Sequence, residues 1–204
     1  MSTRWIGVAG LGEAVVAIAC SVALASLSGL PSQAAVVLAF LPAIAFGIHV
    51  CEEFTIPGGY SAWAAIYRPE RAAEQTRLHL WRVNVIGGAA AFLVAFAAFD
   101  YVGGYAWLGV RAWLAVVFTL AENAGYHIGG TVATHRYSPG LVTSIVLYLP
   151  LTVVSVVELL AVGAVDPISV VGCAFVGIVL FRLIISQSRH HAGGAAASGG
   201  GVVG

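Results

Sequence analysis

The sequence predicts an all-α polytopic membrane protein, a helix bundle with about six transmembrane helices. Three observations support this prediction. Hydrophobic residues make up 60% of the 204 residues and charged residues only 9%, whereas soluble domains carry about 25% charged residues. Apolar runs long enough to cross a bilayer core of ~30 Å recur along the chain. The nine basic residues are all arginines, and they concentrate between alternate runs.

Six apolar runs are predicted to span the membrane. They cover approximately residues 5–30, 34–50, 83–99, 106–128, 141–162 and 168–185. Gly and Pro clusters interrupt helices, and such clusters or acidic residues end most of these runs. A signal peptide is the alternative for the first run, because Arg4 precedes it and Ala23-Leu24-Ala25 resembles a cleavage site. The length of the run, with Glu13 near its middle, favours a transmembrane helix.

The longest polar region, residues 52–82, separates the second and third runs. Its first part, Thr55 to Gly59, is predicted to break the helix. Ser61 to Tyr67 is then predicted to form a short apolar segment that lies at the membrane interface or re-enters it, and residues 69–82 are predicted to form an amphipathic helix with Pro69 at its first position. Residues 131–140 are predicted to form a loop. Residues 1–189 are predicted to form one transmembrane domain, followed by a disordered Gly/Ala-rich tail, residues 190–204.

The arginines predict the orientation of the chain. With six spans both termini lie on one side of the membrane, and eight of the nine arginines fall on that side. The positive-inside rule then places both termini in the cytoplasm. We therefore expect a multi-pass protein of the cell membrane, in particular a bacterial inner membrane, with the lipid bilayer as its partner. The formal net charge is zero, which gives no argument for nucleic-acid binding.

Two predicted spans end in residues that are costly to place in a membrane without a partner. His49, Glu52 and Glu53 stand at i, i+3 and i+4 and share one face of the second span. Asn123 and His127 stand at i and i+4 on the fourth span. Both spans run toward the cytoplasm, so these two groups are predicted to meet at one depth in the cytoplasmic leaflet.

Other polar residues within the spans are candidates for the same site. Glu122 lies beside Asn123, about 100° around the helix. Secondary candidates are Glu13 in the first span, Glu158 in the fifth, and His79, Arg82 and Asn84 at the start of the third. Glu158 is the exception among them, because it is predicted to lie toward the outer side of the membrane.

Two histidines with several glutamates suit a divalent transition metal such as Zn, Fe or Mn. The candidate metal ligands are His49, Glu53, Glu122 and His127, and the candidate catalytic residues are Glu52, Glu53 and Asn123. Bound metal lowers the pKa of its water to about 7, and an uncoordinated Glu can act as general base. These residues predict a membrane-embedded enzyme, hydrolase- or cyclase-like, that acts on a hydrophobic small molecule or lipid.

Three alternatives stay open at this stage. The same Glu and His residues can perform acid–base catalysis without a metal. A small proton-coupled transporter is the second alternative, suggested by Glu13 and Glu158 at different depths. The third is a structural or partner-binding membrane protein, in which the acidic residues only pair with Arg77, Arg82 and Arg111.

Three motifs resemble a known family. His49-Val50-Cys51-Glu52-Glu53 resembles the signature of the HXXEE domain family of integral membrane proteins. The stretch from Glu122 to His127 resembles its second polar motif, and the stretch from Tyr137 to Thr143, followed by Leu149-Pro150, is similar to the loop and helix that come next. The resemblance covers about residues 35–155. It implies a membrane location and supports the choice of site residues, but it implies no reaction.

Overall fold

The structure is a computed structural model that describes residues 3–26, 33–69, 76–99 and 106–186. Within these ranges the chain forms seven helices: α1 (Arg4–Ala25), α2 (Gln33–Phe54), α3 (Tyr60–Tyr67), α4 (Arg77–Phe99), α5 (Ala106–Thr134), α6 (Leu141–Ala161) and α7 (Pro167–Ser186). The all-α architecture is thus confirmed. The predicted tail, residues 190–204, lies outside the described residues, and the domain boundary at residue 189 stays a prediction.

Five of the described helices, α1, α2, α4, α6 and α7, are long and apolar enough to cross a membrane, by length and composition. The chain is therefore a multi-span membrane protein. Helix α5, with 29 residues, is also long enough, but Arg111, Glu122 and Asn123 make it less apolar than the others. The sixth span and the cytoplasmic position of the termini stay predictions.

Helix α5 lies at the centre of the bundle. It packs against α4, α7 and the first turns of α6, and its buried residues Trp113, Leu114 and Val117 belong to the largest apolar cluster. Trp113 Nε1 donates a hydrogen bond to the carbonyl oxygen of Ala39 in α2, at 2.8 Å. The only polar atom of this buried indole is therefore paired, which buried tryptophans usually require.

Helices α1 and α2 approach each other closely through small residues. A Cβ atom on Gly47 would lie 2.9 Å from the Ala14 Cβ atom, and one on Gly10 would lie 2.8 Å from the Val50 Cβ atom. Small residues allow such close approach between membrane helices. The Thr55 hydroxyl also donates to the Arg4 carbonyl oxygen at 3.0 Å. These contacts fix α2, the helix that carries His49, against α1.

Two predicted helix boundaries were wrong. Helix α5 continues through Gly129-Gly130 to Thr134, because Gly130 serves as a packing surface for the aromatic rings of Trp63 and Tyr67 in α3. A glycine inside a helix costs only about 1 kcal/mol, which packing can offset. Helix α4 begins at Arg77. Residues 77–82, which were predicted to end a separate amphipathic helix, are therefore the first residues of the third span.

Candidate metal centre

Three ionisable side chains, those of His49, Glu53 and His127, converge where α2 meets α5. One ligand atom from each lies within 4.8 Å of the other two. Glu53 Oε1 is 3.6 Å from His49 Nε2 and 3.2 Å from His127 Nε2. All three side chains are buried. The structure thus brings together the ends of the second and fourth predicted spans.

The spacing of these atoms fits a single metal ion. In a tetrahedral site with bonds of about 2.0–2.1 Å, neighbouring ligand atoms are ~3.3 Å apart, which is close to both distances from Glu53 Oε1. His127 Nε2 is buried and has no hydrogen-bond partner, although Glu53 Oε1 lies 3.2 Å away. Such a short distance between two acceptor atoms is expected when two ligands point at a common third atom. Without such an atom, a buried unsatisfied nitrogen costs about 1–3 kcal/mol.

A threonine hydroxyl determines which nitrogen of His49 faces the group. Thr143 Oγ1 lies 2.6 Å from Glu52 Oε2 and donates its proton to that carboxylate. The same oxygen lies 2.7 Å from His49 Nδ1, so it accepts a hydrogen bond from a protonated Nδ1. His49 Nε2 is then unprotonated, and it accepts a hydrogen bond from the Asn123 amide at 3.0 Å. Metal-binding histidines are usually oriented by such a contact at their second nitrogen.

The His127 ring is held in a similar way. Its Nδ1 atom lies 2.7 Å from the hydroxyl of the fully buried Ser138. Its Nε2 atom faces Glu53. Both histidines therefore present Nε2 to the group, while a hydroxyl from the segment between α5 and α6, or from the first turn of α6, contacts Nδ1.

The carboxylates of Glu52 and Glu53 face different neighbours, and that of Glu52 faces the start of α6. It accepts hydrogen bonds from the backbone N–H groups of Val142, at 3.1 Å, and Thr143, at 2.8 Å, and from the hydroxyls of Thr143 and Tyr137. The two N–H groups belong to the first turn of α6, where the helix itself offers no acceptor. Partial burial and the hydrogen bond to Glu52 raise the pKa of Tyr137 above its ordinary value, so that the phenol remains a donor.

Gly140 packs against both imidazole rings. A Cβ atom at this position would lie 2.6 Å from His49 Cε1 and 2.9 Å from His127 Cε1. The residue also has a φ angle of 101°, a left-handed conformation that favours glycine. Space and backbone conformation therefore both require a glycine here.

Aromatic rings enclose the two histidines. Trp63 of α3 stacks on His127 with ring centroids 5.8 Å apart, and Tyr126 meets the same ring edge-on at 5.4 Å. The Tyr148 ring lies 4.7 Å from that of His49, at the end of a π-helical turn, Ser144–Tyr148. Such turns are frequent at functional sites. By excluding water, the rings strengthen electrostatic interactions within the site.

A cavity of about 140 Å³ opens beside this group. The predicted candidates His49, Glu53, Asn123, His79 and Asn84 line it. The structure therefore places two of the secondary candidates next to the site.

The other predicted residues lie outside the three-residue group. Glu122 is half-buried on α5, and Arg82 and Glu158 are exposed on α4 and α6. The Glu13 carboxylate lies against α4, where a Cβ atom on Gly88 would be 2.6 Å from Glu13 Cδ. Among the described residues, none of these four belongs to a cluster able to hold a metal.

Several residues that contact His49, Glu52 or His127 were not predicted as site residues. Among them are Tyr137, Ser138, Gly140, Thr143 and Tyr148. The first four lie in the stretch that resembles the family's third motif, and this was the signal that could have identified them. Hydroxyl groups before an apolar run are common, so their chemistry alone did not distinguish them.

The fold and the site define a multi-span membrane protein with a buried His/Glu/His group. A family model described as a protein of unknown function with an HXXEE motif matches residues 38–155. The match covers more than half of the chain, and the chain belongs to this family. No protein of curated function and no solved structure matches it. The matched range includes His49, Glu53 and His127, whereas Glu13 and Glu158 lie outside it.

Proposed function

We propose that this protein is a membrane-embedded metalloenzyme that acts on a hydrophobic substrate. The observation that supports the proposal is the convergence of His49 Nε2, Glu53 Oε1 and His127 Nε2 on one point. Imidazole and carboxylate ligands suit Zn, Fe or Mn. Catalytic zinc sites use three protein ligands and leave the fourth position to water or substrate, whereas structural sites are closed by four protein ligands. Three ligands, of which His49 and Glu53 line a cavity, correspond to the catalytic pattern.

A metal held by His49, Glu53 and His127 would lower the pKa of a bound water molecule to about 7 and so supply a nucleophile at neutral pH. Glu53 would contribute Oε1 to the metal, and its second carboxylate oxygen would serve as the base that accepts a proton from that water. Asn123 donates to His49 Nε2 when no metal is bound. When His49 binds the metal, this amide becomes available to donate to a substrate oxygen and to stabilise negative charge on it. A hydrolytic reaction is the proposal that uses all of these groups.

In this proposal Glu52 has a positioning role. Its two oxygens accept hydrogen bonds from Tyr137, Val142 and Thr143, which leaves it poorly placed to take part in chemistry. Through Thr143 it selects the tautomer of His49 that presents Nε2 to the metal. We therefore assign it an orienting function instead of the catalytic function that the sequence suggested.

We also propose that α5 is the sixth span and that both termini lie in the cytoplasm. The arginine distribution supports this orientation. The site then lies at the cytoplasmic ends of α2 and α5, within the leaflet that an amphiphilic substrate reaches from the cytoplasmic side. The proposed location is a cell membrane, in particular a bacterial inner membrane.

The alternatives have less support among the described residues. A carrier would need a path between acids at different depths, but Glu158 is exposed on α6 and does not line the cavity beside the site. A purely structural role would need the acids of the site, Glu52 and Glu53, to pair with arginines. Arg111 instead lies 3.8 Å from Asp166, and Glu53 faces the two histidines.

Metal analysis of the purified protein tests the proposal. The wild type is compared with His49→Ala and His127→Ala, and with His135→Ala as a control, since His135 is exposed between α5 and α6. We expect about one equivalent of Zn, Fe or Mn in the wild type and the control, and loss of metal in the other two variants. Equal and negligible metal in all four proteins would refute the metal centre.

A further inference from the structure

We propose that the cavity beside His49 and Glu53 binds the carbonyl end of a lipid acyl chain, which enters from the bilayer between α4 and α7. This inference rests on the proposed function, because the metal group supplies the chemistry at the carbonyl. The binding of the chain is nevertheless tested separately from the metal.

The cavity has a polar end and an apolar body. His49, Glu53 and Asn123 form the polar end. The apolar body is lined by Phe46 of α2, Leu80 and Val83 of α4, and Phe181 and Ile184 of α7. A ligand that fits both parts carries a polar group directly attached to a hydrocarbon chain.

The polar end favours an oxygen acceptor. A cation held by His49 and Glu53 attracts an oxygen that bears partial negative charge. The Asn123 amide is a hydrogen-bond donor on the same side. A carbonyl or carboxylate oxygen satisfies both, whereas an ammonium group would be repelled by the cation.

The arrangement of the helices indicates how the chain enters. Helices α4 and α7 both pack against α5, but they share no extensive contact with each other. Both are apolar enough to span a membrane, and residues such as Ile86 and Leu183 are exposed on their surfaces. The gap between them therefore faces the hydrocarbon region.

The size of the cavity shows that it encloses only part of such a ligand. Its volume is about 140 Å³, and an engineered apolar cavity of about 150 Å³ holds one benzene molecule. It thus encloses about six carbon-sized atoms by that comparison, and the rest of the chain extends through the gap into the bilayer.

Photolabelling tests this inference. The full-length protein is reconstituted in phosphatidylcholine vesicles with a palmitic acid that carries a diazirine close to its carboxyl group. After irradiation, labelled peptides are identified by mass spectrometry. We expect labels on residues 79–87 and 181–185, reduced by an excess of unlabelled palmitic acid.

Two cavity-filling variants and two matched controls give the comparison. Val83→Phe and Ile184→Phe place a larger side chain in the cavity, whereas Ile86→Phe and Leu183→Phe add the same ring to residues of α4 and α7 that do not line it. Excluding two or more methylenes should lower labelling of these peptides about tenfold. The controls should label like the wild type. The labelling of a variant is compared only if its thermal unfolding temperature matches that of its control. Two filling positions are used so that the comparison remains possible if one of the variants misfolds.

The outcomes separate this inference from the proposed function. Unchanged labelling in the filling variants, or label spread evenly over all exposed apolar helices, would overturn the acyl-chain site. Specific labelling in a wild type that contains no metal would support the chain site and refute the metalloenzyme. His49→Ala should lose the metal and still be labelled in the apolar body.

Discussion

Thr143 donates two hydrogen bonds to the carboxylate of Glu52, one from its backbone N–H at 2.8 Å and one from its hydroxyl at 2.6 Å. The hydroxyl has a single proton, so its oxygen accepts from His49 Nδ1, at 2.7 Å. The chain Glu52–Thr143–His49 therefore connects α6 to α2 and also sets the tautomer of a proposed metal ligand.

Removal of the Thr143 hydroxyl should weaken metal binding. Thr143→Val keeps the backbone N–H and nearly the same volume, but it leaves His49 Nδ1 without its acceptor. We expect the metal affinity to fall about 10- to 100-fold, as for other partners of metal-binding histidines. Competition with a chelator measures the change. Thr152→Val is the control, because that hydroxyl donates only to the Tyr148 carbonyl oxygen within the same helix; equal affinities in the two variants would contradict the role of Thr143.

The two adjacent glutamates should respond differently to amidation. Glu53→Gln should abolish metal binding, since it replaces a charged ligand. Glu52→Gln should retain part of the metal but lower the free energy of unfolding by about 1–3 kcal/mol, because the amide NH₂ group then faces the N–H donor of either Val142 or Thr143. Metal content and thermal unfolding in detergent distinguish the two variants. The opposite pattern would show that Glu52 is the ligand.

Gly140 should be intolerant of alanine for a reason beyond its backbone conformation. Gly140 and Gly163 have φ angles of 101° and 69°, respectively, and alanine costs about 1–2 kcal/mol in such a conformation. A Cβ atom at Gly163 meets nothing within 4 Å, whereas one at Gly140 collides with both histidines. We expect Gly163→Ala to bind metal normally and Gly140→Ala to lose it. Metal content per folded protein is the measurement, and full metal in Gly140→Ala would argue against the site geometry.

The position of the termini decides whether α5 crosses the membrane. Six crossings place both termini on one side, and five place them on opposite sides. We expect both termini in the cytoplasm, because arginines concentrate on that side. Fusions of each terminus to a cytoplasm-active fluorescent protein and to a periplasm-active phosphatase measure this. The same reporters inserted at Gly163, between α6 and α7, should give the opposite result.

The sequence predicted the helices better than their ends. Hydrophobic run length is a local property, and five of the six predicted spans correspond to helices apolar enough to cross a membrane. The end of α5 was not predictable, because Gly129-Gly130 usually indicates a break. Here Gly130 provides room for Trp63 of α3, a residue that is distant in sequence.

The spacing of residues 49, 52 and 53 determined that three ionisable groups share one face of α2. The polar residues at the ends of α2 and α5 indicated that these two helices meet. Only the tertiary structure decided which neighbours each glutamate faces. Adjacent residues on a helix point about 100° apart, so Glu52 and Glu53 face different neighbours. Glu53 turns toward His127 on α5, and Glu52 turns toward the free N–H groups at the start of α6. The spacing within α2 is the same whichever helices pack around it, and the packing of α5 and α6 therefore determines which groups each carboxylate contacts.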